Sequence, residues 1–155
     1  MDSFEFAGTA ADAPVTPLVL VVDDDPAGVA ATLDTLEAGG IAAVGETEGD
    51  AALQRARGIL TRVAVSELYV ASADGPCVVA PLKQDRARLP RLGVLVYTRH
   101  TSEADTAWAL AAGCDGLVRK PARPGVLVRE VRRLDGGLED QEPPDQGPAR
   151  GGKGR

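Results

Sequence analysis

The stretch LVLVVDDDP, Leu18 to Pro26, decides the fold. Leu18 to Val22 is an unbroken apolar run of strand length, with no polar alternation. A run of that kind describes a strand buried on both faces. Asp23, Asp24 and Asp25 follow at once, and then Pro26. Asp25 before Pro26 is a helix start: the carboxylate caps, and proline takes the first helical position, where its missing N–H costs nothing. A buried strand that runs into carboxylates and then a helix is the first half of a β–α unit. Its polar chemistry stands at the carboxyl end of the strand.

The same alternation continues outward. Val29, Leu33 and Leu36 share a helical face, and Gly39-Gly40 stops that helix. Ile41 to Val44 reads as a second strand. Asp50 to Leu60 reads as a helix with Ala52, Leu53, Ala56 and Leu60 inward. Val63 to Glu67 is a third strand. Pro76 to Leu89 should be helical, but Pro81 lies inside it, so a late start, a kink or irregularity is expected. Val94 to Tyr97 is a fourth strand. Ser102 caps a helix through Ala112 that Gly113 ends. Gly116 to Val118 is a fifth strand, and Arg123 to Leu134 a last helix with Leu127, Val131 and Leu134 on one face. Five strands alternating with five helices predict an α/β domain with a parallel sheet covered on both faces. Right-handed crossovers leave few doubly wound forms, and the length suits the flavodoxin-like order 2-1-3-4-5. The domain is expected over residues 17–135. A flexible tail, 1–16, precedes it. A disordered tail rich in Gly, Pro and charge, 136–155, follows it.

Composition narrows the function classes. The 155 residues carry a net charge of -6 and are 44% hydrophobic, with only 3% aromatics. The core must therefore be built from Val, Leu, Ile and Ala. A compact acidic domain is a poor candidate for neutralising nucleic-acid phosphates. No apolar run reaches the roughly 18 residues of a membrane span, and the acidic N-terminus does not look like a signal peptide. Cys77 and Cys114 show no metal spacing and read as free thiols in a reducing cytoplasm.

In a sheet of this order, ligands gather outside the carboxyl ends of the strands. Asp23, Asp24 and Asp25 follow strand one. Glu67 ends strand three, Thr98 strand four, and Lys120-Pro121 strand five. Clustered carboxylates are best held together by a hard cation such as Mg²⁺. A lysine and a hydroxyl opposite them suit phosphoryl oxygens.

The span from about Leu18 to Leu134 resembles a bacterial response-regulator receiver domain. The residues that carry the resemblance are VVDDDP (Val21 to Pro26), ADG (Ala73 to Gly75), VLVYT ending at Thr98, and AAGCDGLVRKP (Ala111 to Pro121). The resemblance implies that Asp23 and Asp24 are the acidic pair for Mg²⁺, Thr98 the switch hydroxyl and Lys120 the conserved lysine. Counting back from Asp74-Gly75 places Glu67 where the family has its phospho-accepting aspartate. Two further positions depart from the pattern. Val70 and Ala71 stand where a Met-Pro pair is usual, and Leu117 stands in the aromatic switch position.

Glutamate has the charge of aspartate and one more methylene, which pushes its carboxylate into the space a phosphoryl group would fill. In-line attack tolerates little misplacement. The expectation is a stand-alone, atypical receiver, not an enzyme. It would act in two-component signalling through protein contact, independently of phosphorylation. Its Glu67 would reach Lys120 or Thr98 as a partial mimic of phosphate. Its partner would be a histidine kinase or a downstream effector, with homodimerisation left open, and it would bind no nucleic acid or membrane. One alternative is a phosphorylatable receiver or phosphate sink. Another is a haloacid-dehalogenase-like phosphatase, which needs a further acidic pair after its lysine; within the domain Glu130 and Asp135 follow Lys120 without forming that motif. Among the remaining polar and aromatic residues, Asp25 reads as a cap and His100 as a loop residue. Arg129, Arg132 and Arg133 read as a solvated face, and Trp108 and Cys114 as packing residues.

Overall fold

The computed structural model describes residues 19–59 and 61–136. Pro17, Leu18, Leu60, the 1–16 tail and all but Gly136 of the C-terminal tail lie outside them. The elements are β1 (Val19–Val22), α1 (Pro26–Ala38), β2 (Ala43–Glu46), α2 (Gly49–Gly58), β3 (Val63–Ser66), α3 (Val79–Gln84), β4 (Gly93–Thr98), α4 (Glu103–Ala112), β5 (Gly116–Arg119) and α5 (Pro124–Leu134). The strands are parallel and lie in the order β2-β1-β3-β4-β5. This is the expected flavodoxin-like arrangement.

Successive side chains of a strand point to opposite faces, so the central strands feed two cores. Leu20, Val22, Ala64, Val94 and Val96 pack with Ala52, Leu53 and Ala56 of α2, Val79 and Leu82 of α3, and Ala109 of α4. Val19, Val21, Val63, Val65 and Leu95 pack on the other face with Val29 and Leu36 of α1 and Leu127 and Val131 of α5. Each fully buried Leu or Val contributes roughly 1.5–3 kcal/mol. That offsets the scarcity of aromatics.

Two elements differ from their sequence reading. The second strand begins at Ala43 rather than Ile41. Gly40 takes a positive φ of 84°, and the Ile41 N–H donates back to Leu36 O at 2.9 Å. Ile41 is thus buried as part of the helix stop, and the strand runs on through Gly45 and Glu46. The third helix is cut to Val79–Gln84 from the expected 76–89. Pro81 is the reason. With Val79 first, the proline falls in the opening turn, where an N–H would have no intrahelical partner anyway. Smaller shifts occur elsewhere: α2 ends at Gly58 and not Leu60, while β4 and β5 each reach one residue further, to Thr98 and Arg119.

Candidate functional site

Strand register assembles the site. Val22 lies beside Ser66, so the next residues out, Asp23 and Glu67, are neighbours at the sheet's carboxyl edge. Ser66 lies beside Val96 and Thr98 beside Arg119, which brings Thr98 and Lys120 to the same edge. The Lys120 N–H then donates to Thr98 O at 2.9 Å, and the Lys120–Pro121 peptide is cis.

The side chains close on one another. The Lys120 ammonium donates to Asp23 Oδ2 at 2.7 Å and to Glu67 Oε1 at 3.0 Å. The Thr98 hydroxyl donates to Glu67 Oε2, which also accepts the Leu68 N–H at 3.0 Å. Asp23 Oδ1 accepts the Asp25 N–H at 2.9 Å. The three charged side chains are only 14%, 6% and 13% exposed for Lys120, Asp23 and Glu67, and Thr98 is fully buried. Burial alone would disfavour the lysine's charge. Its hydrogen bonds to Asp23 and Glu67, and the charges of both, outweigh that and hold the ammonium above the ordinary lysine value. Gly28 makes room for this cluster, since a Cβ there would overlap the Asp23 carboxylate.

Asp24 is exposed and takes no part in these contacts. Asp25 caps α1 as expected, accepting the Ala27 N–H at 3.1 Å. Leu117 is half-buried against the α2–α4 core. Among the described residues, no three His, Cys, Asp or Glu side chains are gathered to hold a metal ion. Receiver domains typically hold Mg²⁺ in their acidic pocket. Here Lys120 and the Asp25 N–H hold Asp23, Lys120, Thr98 and the Leu68 N–H hold Glu67, and Asp24 stands apart, so the carboxylates are gathered on the lysine rather than arranged around an ion. Asp23 and Asp24 are the residues that would hold one, through lone pairs these hydrogen bonds leave free.

A cleft of about 200 Å³ adjoins the cluster, lined by Thr32, Tyr97, Arg99, Lys120 and Pro121 among others. It reaches Lys120 but not Glu67. The Lys120 ammonium also lies 5.3 Å from the centre of the Tyr97 ring. Glu130 and Asp135, the acids that follow Lys120 among the described residues, are engaged elsewhere, with Arg133 and Arg62 respectively.

Sequence reasoning missed three participants. Tyr69, two residues after Glu67, donates its hydroxyl to Asp105 Oδ1 at 2.6 Å. His100 sets its ring edge-on to Tyr69 with centroids 5.3 Å apart, and its N–H donates to Thr98 Oγ1 at 3.0 Å. Asp105 and Ser102 form a capping box at the start of α4, a pattern legible as S-x-x-D. The Asp105 bond holds the Tyr69 phenol up at about 12, while Tyr69 keeps the Asp105 carboxyl below its usual value. Trp108, read as a packing residue, is 46% exposed. The expected solvated arginine face is mixed: Arg129 is exposed, while Arg132 reaches Gly39 O at 2.8 Å. Cys77 and Cys114 are free thiols whose burial pushes both up.

The molecule is a flavodoxin-like α/β domain with a lysine, a hydroxyl and carboxylates gathered at the carboxyl edge of its sheet. The family comparison agrees. Residues 19–132 match the response regulator receiver domain, and the chain belongs to that family, whose members receive signals in two-component systems. A transcriptional activator protein, ExaE of Pseudomonas putida, is 33% identical over 86 residues, covering 56% of this chain and 39% of that protein. The match thus spans about two fifths of that relative's length. Among solved structures, the signal receiver domain of a histidine kinase from Syntrophus aciditrophicus has a TM-score of 0.68 at 24% identity, covering 80% of this chain and 93% of its own. A CheY-like receiver from Methanospirillum hungatei JF-1 has a TM-score of 0.65 at 20% identity, covering 80% and 97%. These structures share the fold. Among the described residues no helix is long and apolar enough to cross a membrane.

Proposed function

We propose that this domain is an atypical receiver that works by protein contact without taking up phosphate at Glu67. One observation carries the reading. The Glu67 carboxylate already occupies the groups that, by resemblance, would hold a phosphoryl group: Lys120 on Oε1, Thr98 and the Leu68 N–H on Oε2. With Glu67 seated on those groups, an incoming phosphoryl group would have to displace its carboxylate from them to use them. A carboxylate brings less charge and fewer acceptor oxygens than a phosphoryl group, so Glu67 is a partial stand-in. The contacting protein is a kinase or an effector. ExaE supports the effector side, because the matched relative is a transcriptional activator. The site residues keep the roles the resemblance gives them: Glu67 at the acceptor position, Thr98 and Lys120 as its partners, Leu117 in place of the aromatic, and Asp23 and Asp24 as the acidic pair.

Incubation with acetyl phosphate and Mg²⁺, followed by intact-mass measurement, tests this. The expected result is no added phosphate on the full chain and partial labelling of Glu67→Asp, whose shorter arm frees the site. Stoichiometric labelling of the unmodified chain overturns the proposal in favour of a working phosphate acceptor or sink.

A further inference from the structure

Leu117 leaves β5 without an aromatic side chain to link the site to the surface. The loop after β3 supplies one instead. Leu68 and Val70 are buried at 0% and 2%, and Tyr69 between them is half-buried at the edge of the same core. Its ring meets His100, and its hydroxyl reaches Asp105 at 2.6 Å. We infer that Tyr69 is the positioning residue of this domain, tying the first turn of α4 to the Glu67 site through its hydrogen bond to Asp105.

Two strands of contact join the same points. One is covalent: Glu67 is two residues from Tyr69, and the Leu68 N–H between them is held by the Glu67 carboxylate. The other runs through hydrogen bonds: Glu67 to Thr98, Thr98 to the His100 N–H, and the His100 ring back onto Tyr69. Asp105 divides its oxygens to close the circuit. Oδ1 takes the Tyr69 phenol and Oδ2 takes the Ser102 N–H of its own helix cap at 3.3 Å. A shift of Glu67 therefore moves the loop that carries Tyr69 and the residue its ring leans on.

The attachment matters because α4 has little else to hold it at that end. Ala109 is its one buried residue, while Ala104, Ala107, Trp108, Leu110 and Ala111 are exposed. Elements with few buried contacts open at low free energy. The far end is fastened through Asp115, which bonds the Val94 N–H and the Lys83 ammonium, each at 2.8 Å. Tyr69 is the corresponding fastening at the near end. In this arrangement the set of the near end of the exposed α4 face depends on the loop of Glu67.

Hydrogen exchange on the full chain, read by mass spectrometry, tests the inference. Tyr69→Phe should speed exchange of the α4 amides about tenfold, the effect of losing one hydrogen bond to a charged acceptor, and leave β1 and β3 unchanged. Glu67→Ala should speed α4 exchange in the unmodified background and add nothing in Tyr69→Phe, because coupled sites are not additive. Three results overturn the inference: unchanged α4 exchange in Tyr69→Phe, an equal rise across all strands, or the same Glu67→Ala factor in both backgrounds. Phosphate labelling of the unmodified chain would remove the reading of Glu67 proposed above and leave this one standing.

Discussion

Lys120 is the residue on which the site's charge balance turns. It is a single ammonium between two largely buried carboxylates, Asp23 and Glu67. Buried ion pairs add little net stability when complete, but removing one member strands the other. Lys120→Met should therefore lose about 3 kcal/mol, read as a lower urea midpoint. Gly28→Ala should cost roughly 1–3 kcal/mol, the usual range for overpacking, because its Cβ would meet the Asp23 carboxylate. A loss below a few tenths of a kcal/mol on the same scale would mean that Asp23 can swing aside freely. The sequence located Asp23, Glu67, Thr98 and Lys120, because each follows an apolar run and strand register does the rest. It could not locate the Tyr69–Asp105 bond. That bond joins a loop and a helix turn far apart in the chain, and it depends on which way one phenol leaves its backbone.

At the scale of elements, local chemistry was readable wherever it was self-contained. Asp25-Pro26 starts α1 as written, with the carboxylate on the Ala27 N–H. Asp25→Ala should cost about 1 kcal/mol, the usual value of an N-cap, with an unchanged urea m-value because no buried surface is altered. Ser102 and Gly113 bound α4 in the same legible way, Gly113 at a φ of 98°. The misread elements are those where one residue serves two purposes. Ile41 looks like strand and closes a helix. Pro81 looks like an interruption and is accommodated by shortening the helix around it. Hydrophobic pattern cannot separate those cases, because burial is the same in both.

At the scale of the molecule, the parallel order was legible because the α/β alternation and crossover rules leave few choices. The alkaline limit of stability is not visible in the sequence and follows from the site. Lys120 and Tyr69 both hold their protons more tightly folded than unfolded. Groups with raised folded values contribute fully below their unfolded pKa, about 10.4 for lysine and about 10 for tyrosine, and lose that contribution as pH rises through the folded value. The urea midpoint should accordingly hold steady from these groups up to about pH 10 and fall beyond it, through about 12 for Tyr69. Absorbance at the tyrosinate band should show one component near 12 that Tyr69→Phe removes. A tyrosinate rise centred near pH 10, with no later component, would deny the Asp105 bond.

Trp108 has a consequence of its own. It is the sole tryptophan in the chain, and it stands 46% exposed on α4. The protein therefore carries a built-in optical probe on one known helix. Any protein that covers α4 should shift the indole emission to the blue and shield it from iodide quenching, with no label attached.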